Sequence, residues 1–152
     1  MNKIDLKKLA DYEEDFALWS AEQAALIRAG KFDRVDLENI AEEIESLGSN
    51  EKQEIESRLE VLIAHLLKWE RQPEHRSRSW SSTIDEQRYR IARRIKHSPS
   101  LRTYPGEVFS ELYPQARKTA SAETTIYLHL FPETCPFTIE QILDPDFLPG
   151  GL

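Results

Sequence analysis

The order of apolar and polar residues along the chain predicts α-helices. Apolar residues recur every three or four positions, the spacing that places them on one face of a helix. A first helix is predicted over residues 11–29, because Gly30 follows where a C-terminal cap belongs. Its pattern consists of Phe16, Trp19, Gln23, Leu26 and Ile27. A second helix is predicted to begin after Asp36, a suitable N-cap, and to stop or kink at Gly48.

The second and third predicted helices differ in how much of their surface is apolar. The second carries one line of apolar side chains, here called the apolar stripe, formed by Leu37, Ile40, Ile44 and Leu47. We expect the stripe to face the core, and Glu38, Glu42 and Glu45 on the opposite face to face solvent. Asn50 and Gln53 form a variant of the capping box, which opens a third helix reaching to about Glu70. Apolar residues cover most of its circumference, so this helix is expected at the centre of the fold.

Prolines interrupt the helical pattern in the second half of the chain. Pro73 ends the third helix, and Ser77 or Ser79 can cap a fourth that runs to about Lys96. The fourth helix has only a thin apolar line and is therefore expected at the surface. Another helix is predicted after it, kinked or restarted at Pro114.

The C-terminal part of the chain is rich in proline and is expected to wrap over the core. Residues 124–130 have the composition of a strand but no partner strand, so they are expected to be extended or a short helix. Further on, Thr138 and Gln141 form a capping box for one short helical turn. The predicted architecture is all-α: one domain over residues 1–152, a bundle of about five to six helices with a proline-rich C-terminal wrap.

Composition and cysteine content favour a soluble protein of the cytoplasm. The chain has 152 residues, of which 39% are apolar and 31% charged, a balance typical of a soluble folded domain. Acidic residues interrupt the start of the sequence where a signal peptide would be apolar, and no apolar run is long enough for a transmembrane helix. Cys135 is the only cysteine, which fits a reducing compartment. The sequence therefore predicts no membrane association.

Charge is distributed unevenly along the chain. Residues 1–60 carry a net charge of −8, residues 61–118 carry +6 and residues 119–152 carry −5. The basic middle could bind an anion, or it could fold against the acidic ends. Internal pairing is favoured, because an acidic surround weakens the long-range attraction of a polyanion.

Several sequence strings together resemble one known family. They are YEEDFALWSAEQAALIRAGKFD (12–33), DLENIAEEIESLG (36–48), LIAHLLKWE (62–70), RSRSW (76–80) and FPETCP (131–136). In this order they resemble the bacterial family called domain of unknown function 29. The resemblance covers about residues 10–149 and implies an all-α fold and a prokaryotic origin. It implies no activity, so the functional interpretation depends on individual residues.

His65 and Glu43 are the candidate catalytic residues. His65 lies within the apolar arc of the third helix, where a buried ring without a partner would be unfavourable. Glu43, about 80° from the apolar stripe, is the expected partner at the edge of the core. The pair could be a buried histidine satisfied by one carboxylate, or a metal or acid–base pair. The first interpretation is favoured, because structural networks also perturb titration.

Common catalytic and metal-binding motifs are missing from the sequence. It contains no G-x-x-x-x-G-K-[ST], no G-x-S-x-G, no H-E-x-x-H and no paired C-x-x-C. The Glu-x-x-His of carboxylate-bridged metal bundles is also missing. No cofactor and no metal site are predicted.

Arginines of the fourth helix are the candidate binding residues. Arg90 and Arg94 share one side of this helix and Arg93 lies further round the back, so only a small basic cluster is expected. An exposed, solvated face is the favoured alternative to an anion-binding surface, and nucleic-acid binding is not favoured. Arg88 is expected to turn inward and pair with an acid from residues 36–60.

The incomplete catalytic set favours a non-enzymatic function. The leading hypothesis is a helical interaction module that binds a protein partner or a second copy of itself. The alternative is a hydrolase or nuclease-like enzyme that uses His65 and Glu43, with the arginines of the 77–96 helix holding an anionic substrate. That alternative requires both groups of residues in one cleft.

Overall fold

A computed structural model describes residues 8–151 of the chain, and every regular element in that range is helical. Five α-helices follow one another, with short 3-10 turns between several of them: α1 (Phe16–Arg28), α2 (Leu37–Arg71), α3 (Arg78–His97), α4 (Tyr104–Ala122) and α5 (Ile139–Leu143). The predicted all-α fold is confirmed, including the number of helices.

The chain divides into two compact units, Met1–Gly48 and Ser49–Leu152. The boundary falls within α2, so this helix contributes its first third to one unit and the rest to the other.

In the first unit, both ends of α1 are fixed by local capping. The side chain of Asp15 accepts a hydrogen bond from the main-chain N–H of Leu18 at 3.0 Å, which starts the helix later than the sequence indicated. At the other end Gly30 has a φ of 72°, and Lys31 donates to the carbonyl of Leu26. This is the Schellman arrangement, which a glycine adopts without steric cost, and the predicted cap at Gly30 is confirmed.

Asp36 joins α1 to the start of α2 through a small polar network. Its carboxylate accepts hydrogen bonds from the indole N–H of Trp19 at 3.0 Å and from the side chain of Asn39 at 2.7 Å. Its main-chain N–H donates to the side-chain oxygen of Gln23 at 2.7 Å. The bond from Asn39, followed by that from Trp19, lowers the pKa of Asp36. The expected capping role of Asp36 is supported by its bond from the main-chain N–H of Asn39.

Helix α2 does not stop at Gly48, and the predicted division into two helices is wrong. The helix continues for 35 residues, and Asn50 lies inside it rather than capping a new one. A glycine within a helix costs only about 1 kcal/mol relative to alanine, and Gly48 does not adopt a positive φ. The apolar residues that follow it supply more than enough burial to extend the helix through this position.

The second unit is built around the second half of α2, as predicted. Six of its side chains are fully buried: Ile55, Leu59, Leu62, Ile63, Leu66 and Leu67. Helices α3 and α4 cover it with Ile84, Ile91, Tyr113, Ala116 and Ala120. The remaining side of this core is closed by the C-terminal part of the chain.

Helix α4 passes through Pro114 without restarting, so of the two predicted outcomes, a kink or a restart, the restart does not occur. Proline removes one hydrogen bond from the interior of a helix and costs about 3 kcal/mol there. Tyr113 and Ala116 on either side of it are fully buried in the core, and their burial holds the helix together across this point.

The proline-rich tail wraps over the core of the second unit, as predicted. Phe131, Phe137 and Ile142 are buried against it. The capping box of α5 is present in both directions, between Thr138 and Gln141. Residues 124–130 form a bend and a short 3-10 turn rather than a strand, which agrees with the predicted short helix.

Candidate functional site

His65 lies on α2, half-buried, and is bonded to its own helix. Nδ1 is 2.9 Å from the main-chain oxygen of Val61, and because a carbonyl only accepts, Nδ1–H is the donor. Burial is the main effect that lowers the pKa of the ring. Within residues 8–151 the ring makes no hydrogen bond to a carboxylate, so the predicted bond is not formed.

Glu43 has a different partner. Its carboxylate accepts a hydrogen bond from the hydroxyl of Tyr12, and this bond raises the pKa of Tyr12 to about 12. Glu43 belongs to the first unit and His65 to the second, and both are residues of the single helix α2. The prediction placed the two residues on separate helices, with the helix of Glu43 stopping or kinking at Gly48.

The protein is expected to unfold more easily as the pH falls, partly because of His65. The pKa of its ring is lowered below the value of roughly 6.5 found in unfolded chains. The unfolded state therefore binds more protons, and stability is lost as the pH falls from about 6.5 through the folded pKa. In urea titrations at about one pH unit above and below 6.5, the His65→Gln variant should show a smaller pH dependence than the unchanged protein.

His75 provides a matched control for this experiment. Its side chain is exposed, so His75→Gln should leave the free energy of unfolding close to that of the unchanged protein and controls for the substitution itself. Equal pH dependence in the His65→Gln variant and the unchanged protein would show that His65 ionises with equal ease in both states.

Three candidate binding arginines do come together in the second unit. Arg90, Arg93 and Arg94 line one cleft of about 380 Å³, here called the arginine cleft. Its full lining is Glu54, Arg58, Tyr89, Arg90, Arg93, Arg94 and His97. The sequence placed Arg93 away from the other two, but side chains as long as arginine can reach round a helix to a common space.

Carboxylates already hold some of these arginines. Arg94 is 3.0 Å from Glu51 and 3.8 Å from Glu54, and Arg58 is 2.6 Å from Glu54. Arg90 is 3.0 Å from Glu86, one turn earlier on α3. Basic residues of the middle segment therefore pair in part with acids of residues 36–60, as the charge distribution indicated.

Arg88 was predicted to pair with an acid from residues 36–60, and this prediction is wrong. The residue is only 5% exposed, and its Nε donates to the carbonyl of Ile142 at 2.8 Å. An Nη atom donates to the carbonyl of Gln141 at 3.3 Å. Burial lowers the pKa of the guanidinium. Arg88 points inward as expected, but towards main-chain carbonyls at the end of α5. The last carbonyls of a helix have no donor within the helix, so they accept hydrogen bonds from a guanidinium as a carboxylate does.

The apolar stripe of α2 is the second candidate site, and it does not face a core as predicted. Leu37, Ile44 and Leu47 are 69%, 63% and 66% exposed, while Ile40 between them is half-buried. The adjacent side of the helix is the one that contacts the α1 region, through Asp36 and Glu43. The packing of α1 therefore leaves most of the stripe uncovered.

The model of one protein family, described as domain of unknown function DUF29, matches residues 12–148, nearly the whole chain. The chain belongs to the DUF29 family. No curated protein and no solved structure matches it. Within the described part of this DUF29 chain, no helix has the length and apolar character needed to cross a membrane.

Sequence reasoning missed Arg58, Tyr89 and His97 as parts of the arginine cleft. One signal was available for Arg58, because Glu54 precedes it by four residues and such pairs face each other on a helix. Nothing local indicated that Arg58 of α2 and the arginines of α3 would line the same space. That depends on how the two helices pack.

Proposed function

We propose that this chain is a non-enzymatic interaction module that binds a protein partner through its apolar stripe. One observation carries the proposal: three large apolar side chains on one helix face are each more than 60% exposed. Single exposed apolar residues are ordinary, but a contiguous row of them is typical of an interaction surface.

The spacing of the stripe supports a helical partner. Positions 37, 40, 44 and 47 follow the alternating steps of three and four that form the seam of a coiled coil. Along one edge of the stripe lie Ala41 and Gly48, both exposed. Because these residues are small, a second helix can approach closely on that side.

Charge supports a basic partner rather than a second copy. Residues 36–48 contain five acidic and no basic side chains. Two copies of this segment packed together would bring carboxylates close to carboxylates, which opposes association. An amphipathic helix with lysine or arginine beside its apolar face has complementary charge.

The geometry gives less support to the hydrolase or nuclease-like alternative. That hypothesis requires His65, Glu43 and the arginines of α3 around one substrate, but neither His65 nor Glu43 lines the arginine cleft. Within residues 8–151, no three His, Cys, Asp or Glu side chains form a group that could hold a metal ion.

Binding through the stripe is expected to weaken at least about tenfold, or about 1.4 kcal/mol, in the double variant Ile44→Glu with Leu47→Glu. The probe is a synthetic amphipathic helix with leucines at heptad spacing and lysines beside them, titrated by fluorescence anisotropy. The stability of the variant should change little, because both positions are exposed and glutamate favours helix.

Two controls make this test specific. Leu130→Glu changes another exposed apolar residue outside the stripe and should leave binding unchanged. A peptide with glutamates in place of the lysines should bind more weakly. The proposal fails if the lysine peptide does not bind, or if it binds the double variant equally well. Concentration-dependent dimerisation that the double variant abolishes would instead assign the stripe to a second copy.

A further inference from the structure

The arginine cleft has a net positive charge and no role in the proposed partner binding. Four arginines from two helices line it, against the single carboxylate of Glu54. Glu51 and Glu86 lie beside it and neutralise part of this charge through Arg94 and Arg90. One positive charge remains when these acids are counted against the four arginines.

The arginines differ in how firmly they are held. Arg58 is fixed by Glu54 at 2.6 Å and by the side chain of Gln87 at 3.1 Å. The pair between Arg90 and Glu86 is exposed on both sides, and such pairs stabilise a helix only weakly, so Arg90 can exchange Glu86 for another anion. Arg93 makes no ion pair with any residue that the structure describes.

Arg90 and Arg93 therefore form the accessible anion-binding pair of the cleft. Residues three apart on a helix are neighbours on its surface, so both guanidinium groups can reach one ligand. Arginine presents planar donors that match the oxygens of a phosphate group in a bidentate manner.

Tyr89 adds an aromatic surface beside this pair. The residue is 61% exposed, and the guanidinium of Arg93 lies 5.9 Å from the centre of its ring. Exposed aromatic rings next to arginines stack with the bases of nucleotides. A cleft of about 380 Å³ is large enough for a small ligand of this kind.

We propose that the arginine cleft binds a small phosphate ester with an aromatic ring, such as a nucleoside monophosphate. The phosphate lies against Arg90 and Arg93, and the ring stacks on Tyr89. A long polyanion fits less well, because it requires many arginines along its backbone and the flanking segments of the chain are acidic. This ligand is separate from the protein partner of the apolar stripe.

Isothermal titration of the full chain with adenosine monophosphate tests this proposal, at about 50 mM and about 150 mM salt. Adenosine monophosphate should bind at least tenfold more tightly than inorganic phosphate or adenosine, because each of these carries only half of the recognised chemistry. Raising the salt should weaken binding, because the phosphate contacts are electrostatic.

Variants locate the ligand within the cleft. Arg93→Gln should weaken binding of adenosine monophosphate at least tenfold, whereas Tyr89→Leu should weaken its binding but leave that of inorganic phosphate unchanged. Arg78→Gln removes an exposed arginine outside the cleft, on the same helix, and should have no effect. Urea unfolding of each variant checks that the fold is retained.

Four results would overturn the proposal: no binding of adenosine monophosphate at about 1 mM, equal binding of phosphate alone, affinity that Arg93→Gln leaves unchanged, or a single-stranded oligonucleotide that binds more tightly than the monophosphate. The double variant of the apolar stripe should bind the monophosphate normally. The two proposals can therefore fail independently.

Discussion

Replacing Leu62 with alanine is expected to lower the free energy of unfolding by about 2–5 kcal/mol. Leu62 is fully buried on α2 among the residues that form the core of the second unit. Shortening its side chain removes apolar contacts and leaves a cavity that the surrounding helices fill only partly. Urea unfolding followed by circular dichroism measures the change directly.

Val61 is the matched control, because it is the preceding residue on the same helix and is 38% exposed. Val61→Ala should change the free energy of unfolding by no more than about 0.5 kcal/mol, since alanine also has the higher helix propensity. Equal effects of the two substitutions would mean that the second half of α2 is not central to the core.

Replacing Arg88 with alanine is expected to lower the free energy of unfolding by about 2–3 kcal/mol. The substitution removes donors from the carbonyls of Gln141 and Ile142, both at the end of α5. A buried carbonyl without a donor carries the full cost of its lost hydration. Amide hydrogen exchange should therefore increase most in residues 138–143, and urea unfolding gives the overall loss.

Arg90→Ala serves as the comparison for this prediction. Arg90 is exposed on the same helix and loses only a surface ion pair, so about 0.5 kcal/mol or less is expected. The prediction fails if Arg88→Ala lowers the free energy of unfolding no more than Arg90→Ala does, or if amide hydrogen exchange in α5 is unchanged. In either case Arg88 would not be the residue that attaches α5 to the core.

Local signals in the sequence were sufficient to predict most of the helices. Periodic apolar residues and caps such as Gly30, Thr138 and Gln141 act within a few residues, and the structure confirms them. Gly48 was misleading because its helix-breaking tendency amounts to only about 1 kcal/mol, less than the burial of a single large apolar side chain further along α2.

The sites were predicted less well than the helices. Arg88 was correctly expected to point inward, but a guanidinium can be satisfied by carbonyls as well as by carboxylates, and nothing in the local pattern distinguishes the two. The apolar stripe was assigned to a core because its periodicity is the same whether a helix packs inside a domain or against another molecule. The exposure of Leu37 could be known only once α1 had been placed.

The tail of the second unit affects when this protein can finish folding during synthesis. Phe131, Phe137 and Ile142 complete the core that α2 begins, although all three follow α2, α3 and α4 in the sequence. A chain of which only residues up to 122 were available for folding would hold α2, α3 and α4 with one side of their common core open to water. The second unit therefore reaches its native core only after residue 142 has been made, and until then its exposed apolar surface makes the partly folded chain prone to aggregation.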